Sequence, residues 1–278
     1  MKKKKLIILG SGGFISSYVE KNLYKKNKKF IAYKRLEFDL TKISHLNKLK
    51  KKITSEDIIF FIAAKAPVKN LHMFNENIKM IVNFCRIFDN QSIKKIVYLS
   101  SDAVYSDSKK MLNEKSLKEP NNWHGLMHIT REQIIKNNFP KKKVLILRPT
   151  LVYGKNDPHN GYGPNKFLRD AKQKKRISIF GKGEELRDHI WVQDLSNIIS
   201  KLIYSNQFGD FNLTTGKLIS FYSIAKLIKN KKENVKIINL KRQGKMPHNG
   251  YRPLSNNKIK KLFPTYKFKT LAEVINKL

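Results

Sequence analysis

The 278-residue chain carries 58 Lys and Arg against 21 Asp and Glu, a formal net charge of +37, and 40% of its residues are apolar. That apolar share over this length supports a buried core, which excludes a disordered chain and a disulfide- or metal-stapled miniprotein. The single cysteine, Cys85, excludes an internal disulfide and a multi-cysteine metal centre and fits a reducing, cytoplasmic setting.

No apolar run approaches the roughly 18 residues of a spanning helix, so membrane insertion is not expected. Lys2 to Lys5 followed by Leu6 to Leu9 imitates a secretion signal, but the apolar part stops at Gly10, short of the roughly 7–15 residues such a region needs. A charge this large attracts polyanions. Lys outnumbers Arg about five to one, however, and the lysines are spread along the whole chain, which reads as a compositional habit rather than a specific nucleic-acid footprint. Lys94–Lys95 before Ile96 and Lys141–Lys143 before Val144 read as solvated strand entrances.

Five short apolar runs, Leu6–Leu9, Phe30–Tyr33, Ile58–Ile62, Ile96–Leu99 and Val144–Leu147, alternate with helical patterns over Gly13–Lys26, His72–Phe88 and Trp123–Asn138. Runs this rich in Ile and Val, spaced by helix-length segments, predict an α/β fold with a Rossmann-type doubly wound parallel sheet. After Pro149 the texture changes to Gly, Pro and Asn between shorter elements, as in a smaller C-terminal lobe.

Leu6-Ile-Ile-Leu-Gly10-Ser-Gly12-Gly13-Phe14-Ile15-Ser16 reads as strand, glycine-rich turn and helix start. Gly10 permits the tight turn, Gly12 and Gly13 let the backbone approach a pyrophosphate, and the helix N-terminus offers unpaired N–H groups to the anion. With Gly10-x-x-Gly13-Phe14-Ile15-Ser16 the chain resembles the extended short-chain dehydrogenase/reductase family, the nucleotide-sugar epimerases, dehydratases and reductases. That family opens with Gly-x-x-Gly-x-x-Gly, and here Ser16 replaces the third glycine. The resemblance implies a dinucleotide held by Gly10, Gly12, Gly13, Phe14 and Ile15. It also implies a dinucleotide-binding domain over 1–154, rejoined by about 187–204, and a substrate-binding lobe over 155–278.

The second strand ends in Lys34-Arg35 with no carboxylate until Glu37, so Arg35 suits the 2′-phosphate of NADP better than the diol of NAD. NADP(H) is favoured and NAD(H) stays open, since both residues also read as ordinary surface charges. By resemblance, Asp39 lies near the adenine, Ala63-Ala64 form the turn that passes the cofactor, and Asn77 stands where the family carries a recurrent Asn.

The fourth strand runs into Ser100-Ser101-Asp102-Ala103-Val104-Tyr105, similar to the family's Ser-Ser-x-x-Val-Tyr, in which the serine at Ser101 hydrogen-bonds the reacting sugar oxygen. About 20 residues later the family places Tyr-x-x-x-Lys on a helix, with Glu four residues beyond. This chain reads His124-Gly125-Leu-Met-His128-Ile-Thr-Arg131-Glu132, so Glu132 fixes the register and both catalytic positions are histidine. Spacing of four puts both imidazoles on one helical face. A tyrosine base needs a neighbouring cation to act at neutral pH, whereas an imidazole does not, so the double replacement is chemically coherent. The expected roles are His124 as proton donor or acceptor and His128 against the nicotinamide ribose. Loss of hydride chemistry, leaving a dinucleotide- or sugar-nucleotide-binding protein, is the alternative; a zinc site lacks a third ligand.

Arg148-Pro149-Thr150-Leu151-Val152-Tyr153-Gly154 looks like the family's Arg-Pro-x-Asn-x-Tyr-Gly, with Leu151 in the Asn position. The stretch Phe180 to Asp194 is similar to a second family segment, in which the arginine at Arg187 binds the nucleotide diphosphate; Arg252, or Arg242 in another register, is the second candidate ligand. A pairing of Arg187 with Glu184 or Asp188 is the structural alternative, and Asp194 is expected to cap a helix over Leu195–Ile203. The resemblance implies a reductase or epimerase of surface-glycan biosynthesis acting on a nucleotide sugar, with no metal, and a homodimer through the helix pair that includes the catalytic one.

Overall fold

The computed structural model describes residues 5–89, 91–232 and 234–278; Lys2, Lys3 and Lys4 of the N-terminal run lie outside them. In chain order the first half forms β1 (Leu6–Leu9), α1 (Phe14–Lys25), β2 (Phe30–Tyr33), α2 (Ile43–Lys50), β3 (Ile58–Phe61), α3 (Leu71–Ile87), β4 (Lys95–Leu99), α4 (Trp123–Asn138) and β5 (Val144–Pro149). The second half forms β6 (Leu151–Tyr153), α5 (Pro164–Lys174), β7 (Arg176–Phe180), β8 (Leu186–Trp191), α6 (Val192–Tyr204) and β9 (Gly209–Leu213). It continues with β10 (Leu218–Ser220), α7 (Phe221–Lys229), β11 (Lys236–Leu240), β12 (Tyr251–Arg252), α8 (Asn257–Leu262) and α9 (Leu271–Val274).

Six strands make one sheet in the order β2-β1-β3-β4-β5-β9, and the pairings β1–β2, β1–β3, β3–β4 and β4–β5 are parallel. The order reverses direction at β1, as a doubly wound sheet requires, which places the turn after β1 at the switch point. β1, β3, β4 and β5 are buried along their whole length, so each run is apolar on both faces. Ile7, Leu9, Ile59, Phe61, Ile96, Tyr98 and Ile146 share a core with Leu46 and Leu49 of α2, Phe84 of α3 and Ile135 of α4. The helix α2 carries no strong sequence signal; only Leu46 and Leu49 are buried on it.

Lys95 corrects the reading of Lys94–Lys95 as a solvated entrance. It is the first residue of β4 and only 3% exposed, and its ammonium donates to the carbonyls of Leu202, Ile203 and Ser205 at 3.1, 3.4 and 2.9 Å. A cation there satisfies the orphan carbonyls at the C-terminus of α6 and complements its dipole. Lys94 is the exposed partner and pairs with Glu56.

The chain divides into two compact units. The first comprises Met1–Ser106, Ser116–Pro149 and Ser196–Phe211 and contains most of the sheet; the second comprises Asp107–Lys115, Thr150–Leu195 and Asn212–Leu278. In the second, Phe167, Ile177, Ile179, Phe221, Ile224, Ile228 and Val274 build a separate core. Asp194 is not a cap: α6 begins at Val192, and Asp194, buried within its first turn, accepts hydrogen bonds from Tyr266 Oη at 2.8 Å and the Lys269 amide at 2.7 Å. Two donors from the C-terminal segment compete for the carboxylate that a cap would have turned to its own helix. Among the described residues, no helix is long and apolar enough to cross a membrane.

Candidate active site

The glycine turn has the geometry of an anion cradle. Gly10 has φ +106°, and a Cβ there would lie 2.5 Å from Cα of Ala63, so only glycine allows the turns after β1 and β3 to touch. Gly12 has φ +88° with the stem of Lys34 beside it. At Gly13 the N–H donates to Ser16 Oγ at 2.9 Å and the carbonyl accepts from the same hydroxyl at 3.0 Å, so Ser16, in the position of the third glycine, caps α1 with its side chain. Ser16 is buried, so a hydroxymethyl fits at the position of the family's third glycine. The amides of Phe14 and Ile15, in the first turn of α1, have no acceptor within the helix and remain for a phosphate. These features fit a dinucleotide pyrophosphate.

Beyond β2, the Arg35 side chain is 57% exposed and stands 3.8 Å from Asp39 and 3.7 Å from Glu76. Asp39 is held by the amide and hydroxyl of Thr41 at 3.0 and 2.7 Å. Burial works against its charge, but the Thr41 bonds and Arg35 outweigh it and keep the carboxyl below the ordinary aspartate range. Glu76 also binds Lys65, which follows Ala63-Ala64, at 2.6 Å. Asn77, one position on, is fully buried and accepts from the Lys65 amide while donating to its carbonyl. Its family position thus serves the β3 turn. Lys65 and Glu76 carry no signal in the sequence, because single surface charges are unremarkable in so basic a chain.

In the first unit, the segment after β4 and the start of α4 are pressed together. Ser101 Oγ accepts the Ala103 amide at 3.1 Å and opens a 3₁₀ turn over Asp102–Val104. α4 packs on that turn at Gly125, where a Cβ would sit 2.1 Å from the Ala103 carbonyl oxygen and 2.5 Å from Pro120 Cβ. Gly125→Ala is therefore expected to cost about 3 kcal/mol, measured by urea unfolding, since neither a backbone carbonyl nor a proline ring can move aside cheaply. The close approach brings the Ser101 segment against the helix turn that bears His124, and the sequence alone does not mark Gly125 as its cause.

His124 is half-buried, with Nδ1 at 3.5 Å from the Val68 amide. Its ring meets that of His128 nearly edge-on, at 4.7 Å between centroids and 86°. His128 is 5% exposed, and its Nδ1 lies 2.7 Å from the hydroxyl of Tyr98. Burial, then the charges of His124 and Arg131, push the His128 pKa well below the ordinary imidazole value, so the ring is neutral. Burial likewise raises the Tyr98 phenol, so the phenol keeps its proton and shares one hydrogen bond with Nδ1. With Tyr98 as the donor of that bond, the proton of the neutral His128 sits on Nε2.

Behind these residues runs a buried polar network. Glu132 accepts from Ser100 Oγ at 2.6 Å and takes both arms of the Arg148 fork at 2.8 and 2.6 Å. Arg148 also donates to the Tyr105 hydroxyl at 2.8 Å and to Asp210 at 2.5 Å. One guanidinium thus ties β5 to α4, β9 and the segment after β4. Glu132, which in the sequence serves only to set the register, is its centre.

In the second unit the three arginine candidates converge. Arg187 of β8 and Arg252 of β12 are cross-strand neighbours. Arg187 donates to Glu185 at 3.2 Å and to the Pro247 carbonyl at 2.5 Å, and Arg242 pairs with the same Glu185. The carboxylate partner is therefore Glu185, and not Glu184 or Asp188; Asp188 is engaged instead by Thr215 and the Lys217 amide. Arg252 donates to Asp107 at 3.2 Å, and its guanidinium lies 2.9 Å from Nδ1 of His248, the nitrogen that faces the same carboxylate. His248, in a left-handed conformation with φ 52° and itself paired with Asp107, joins this group without a sequence signal. Leu151, where the family has Asn, is 42% exposed.

Known proteins give this arrangement its context. One relative, a dTDP-D-glucose 4,6-dehydratase of Dictyostelium discoideum, is 24% identical over 272 residues, 82% of this chain; the chain spans 62% of that relative's length. In three dimensions the fold is similar to UDP-glucose 4-epimerase of Thermus thermophilus in complex with NAD, with a TM-score of 0.81 at 17% identity over 98% of each chain. It is also similar to a GDP-L-fucose synthetase of Naegleria fowleri bound to NADP, with a TM-score of 0.80 at 17% identity over 100% of this chain and 92% of that one. Residues 6–214, well over half of the chain, match the NAD dependent epimerase/dehydratase family, and the chain belongs to that family.

Proposed function

We propose that the protein is an NAD(P)-dependent reductase or epimerase acting on a nucleotide sugar, with His124 and Ser101 as its catalytic residues. The observation that carries the reading is the joint at Gly125, which presses the Ser101 turn and the His124 turn of α4 together. Gly12, Phe14 and Ile15 would hold the dinucleotide pyrophosphate at α1, with Gly10 and Gly13 shaping the turn, and Ala63 and Ala64 would pass beneath it. When bound, the nicotinamide supplies hydride exchange with a sugar carbon. Ser101 donates a hydrogen bond to the sugar oxygen, and His124 gives it a proton in the reducing direction or takes one in the oxidising direction. His128, with Nδ1 held by Tyr98, offers Nε2–H to the nicotinamide ribose. Arg187, Arg252 and Arg242 are the ligands for the diphosphate of the substrate, their fork geometry matching its oxygens.

NADP(H) is the favoured cofactor because Arg35 is exposed and only loosely held by Asp39 and Glu76. Arg35→Ala is expected to weaken NADPH binding about tenfold and leave NADH binding unchanged, the loss of one charge-assisted contact to the 2′-phosphate; equal losses for both cofactors contradict that assignment. Exposed Leu71 on α3 and Trp123 and Leu126 on α4 support a homodimer through these helices. The lone cysteine supports a cytoplasmic setting, and the relatives' substrates suggest a role in surface-glycan biosynthesis.

The test is NADPH oxidation with a panel of UDP-, dTDP- and GDP-linked 4-keto sugars, and interconversion of the corresponding 4-epimers. Turnover with any of them supports the reading. Tight dinucleotide binding with no turnover across the panel supports a non-catalytic dinucleotide- or sugar-nucleotide-binding protein instead.

A further inference from the structure

Arg131 is the side chain that the proposed chemistry leaves unexplained. It lies three residues beyond His128 on α4 and is fully buried. None of the ion pairs among the described residues gives it a carboxylate, and its Nε has no hydrogen-bond partner there. Its guanidinium carbon stands 5.0 Å from the ring centroid of Phe61 and 5.4 Å from that of Tyr98, Nη2 donates to the Ala63 carbonyl at 2.9 Å, and Nη1 approaches Met127 Sδ at 3.8 Å. A buried guanidinium without a carboxylate partner is costly, and two ring faces, the Ala63 carbonyl and a hydrogen bond to the Tyr98 hydroxyl offset that cost only in part. A leucine or methionine would fill the same space without that cost.

Its position joins three parts of the site. Tyr98, under the guanidinium, holds Nδ1 of His128. Ala63, whose carbonyl the guanidinium fixes, is the residue against which Gly10 of the glycine turn packs. We propose that Arg131 is the fixed cation of the two-histidine site, a positioning residue that holds His128 as a neutral Nε2–H donor through Tyr98 and holds the β3 turn through Ala63.

The inference rests on the dinucleotide reading for its purpose, though its first measurement needs no cofactor. The groups facing His128 are His124 and Arg131 on its own helix and Tyr98 on β4; Cys85 of α3 and Glu132 act on Arg131 and Tyr98 in turn. Neither Cys85 nor Tyr98 is ionised near neutral pH, since burial raises the thiol to about 12 and the phenol further. Burial lowers the Arg131 pKa from its ordinary value, but a guanidinium starts so high that Arg131 stays cationic near neutral pH.

The experiment is ¹⁵N-histidine NMR of the full chain between pH 5 and 8, on wild type, Tyr98→Phe, Arg131→Lys and Arg131→Met, with NADPH and NADH dissociation constants for each. Wild type is expected to show His128 neutral throughout, with Nδ1 unprotonated. Tyr98→Phe should lose that single tautomer. Arg131→Met should raise the proton affinity of His128 at least tenfold and weaken both dinucleotides at least threefold. Arg131→Lys should restore the neutral His128 but not the dinucleotide affinity, because an ammonium lacks the fork that reaches Ala63. If Arg131→Met does not fold, the Tyr98→Phe and Arg131→Lys spectra decide. An unchanged His128 tautomer in Tyr98→Phe overturns the proposal, as does a His128 in Arg131→Lys that titrates between pH 5 and 8. A chain that binds neither dinucleotide yet shows the predicted tautomers refutes the proposed function while leaving the Arg131–Tyr98–His128 arrangement standing.

Discussion

Glu132→Gln is expected to destabilise the first unit by about 3–5 kcal/mol, the cost of leaving a buried charge without its main partner. Glu132 and Arg148 have fully buried side chains, whereas Asp210, the other carboxylate on the fork, is 16% exposed and shared with Lys136. Glutamine keeps the shape and one acceptor for Ser100, but presents an amide donor to a guanidinium that has only donors itself. The melting temperature should fall by on the order of 10 °C for a loss of this size. A loss under about 1 kcal/mol would show that Asp210 alone suffices to hold Arg148. The network also carries a pH signature. Burial raises the Asp210 carboxyl, but Arg148 and Lys136 outweigh it and hold it below the ordinary aspartate range. A depressed carboxyl contributes stability that is full above its unfolded pKa and is lost as pH falls through the folded value. The Asp210 share is therefore present at neutral pH and disappears below about pH 4, near the unperturbed aspartate value, in acid unfolding that Asp210→Asn should blunt.

His124→Phe is expected to lower turnover by about 10²–10⁴-fold, the usual contribution of a positioned general acid or base. Dinucleotide affinity should stay within a factor of about two, because His124 reaches the site from α4 while the pyrophosphate cradle is built by the turn after β1. Phenylalanine preserves the ring and much of the edge-on contact with His128, so a change in stability should be small beside the kinetic effect. Rates of NADPH oxidation with a reactive keto-sugar nucleotide, beside a direct binding titration, separate the two. Near-normal turnover would move the proton transfer to another group.

Much of this architecture is legible in the sequence because it rests on local patterns. The apolar runs Leu6–Leu9 and Phe30–Tyr33 coincide with the buried β1 and the half-buried β2, and Trp123–Asn138 coincides with α4, whose start Asn122 caps, since a short apolar run and a capped helix start are both signals among sequence neighbours. The register set by Glu132 brings out the two histidines for the same reason: α-helical spacing is a property of neighbours. What stays hidden depends on partners far away along the chain. Lys95 looks like a solvated lysine until the end of α6 is placed over it, more than 100 residues on. Gly125 looks like a tolerated helix glycine until the Ala103 carbonyl arrives beneath it. Arg131 and Tyr98 look like one more cation and one more strand aromatic, and only the packing of α4 on β4 shows a guanidinium over a phenol that holds an imidazole. Asp194 reads as a cap only until the helix is seen to start at Val192, and helix ends are the least sharply encoded part of a helix.

The central claim, that the turn after β1 is a working dinucleotide site, is tested most directly by titrating the purified protein with NADPH and, separately, NADH, following nicotinamide fluorescence and the melting temperature. Saturable binding is the predicted result, with NADPH the tighter ligand and a stabilisation of about 2.7 kcal/mol at a hundred times its dissociation constant. No fluorescence change and no shift in melting temperature with either dinucleotide at millimolar concentration would contradict it, and would leave the glycine turn as a structural connection between β1 and α1.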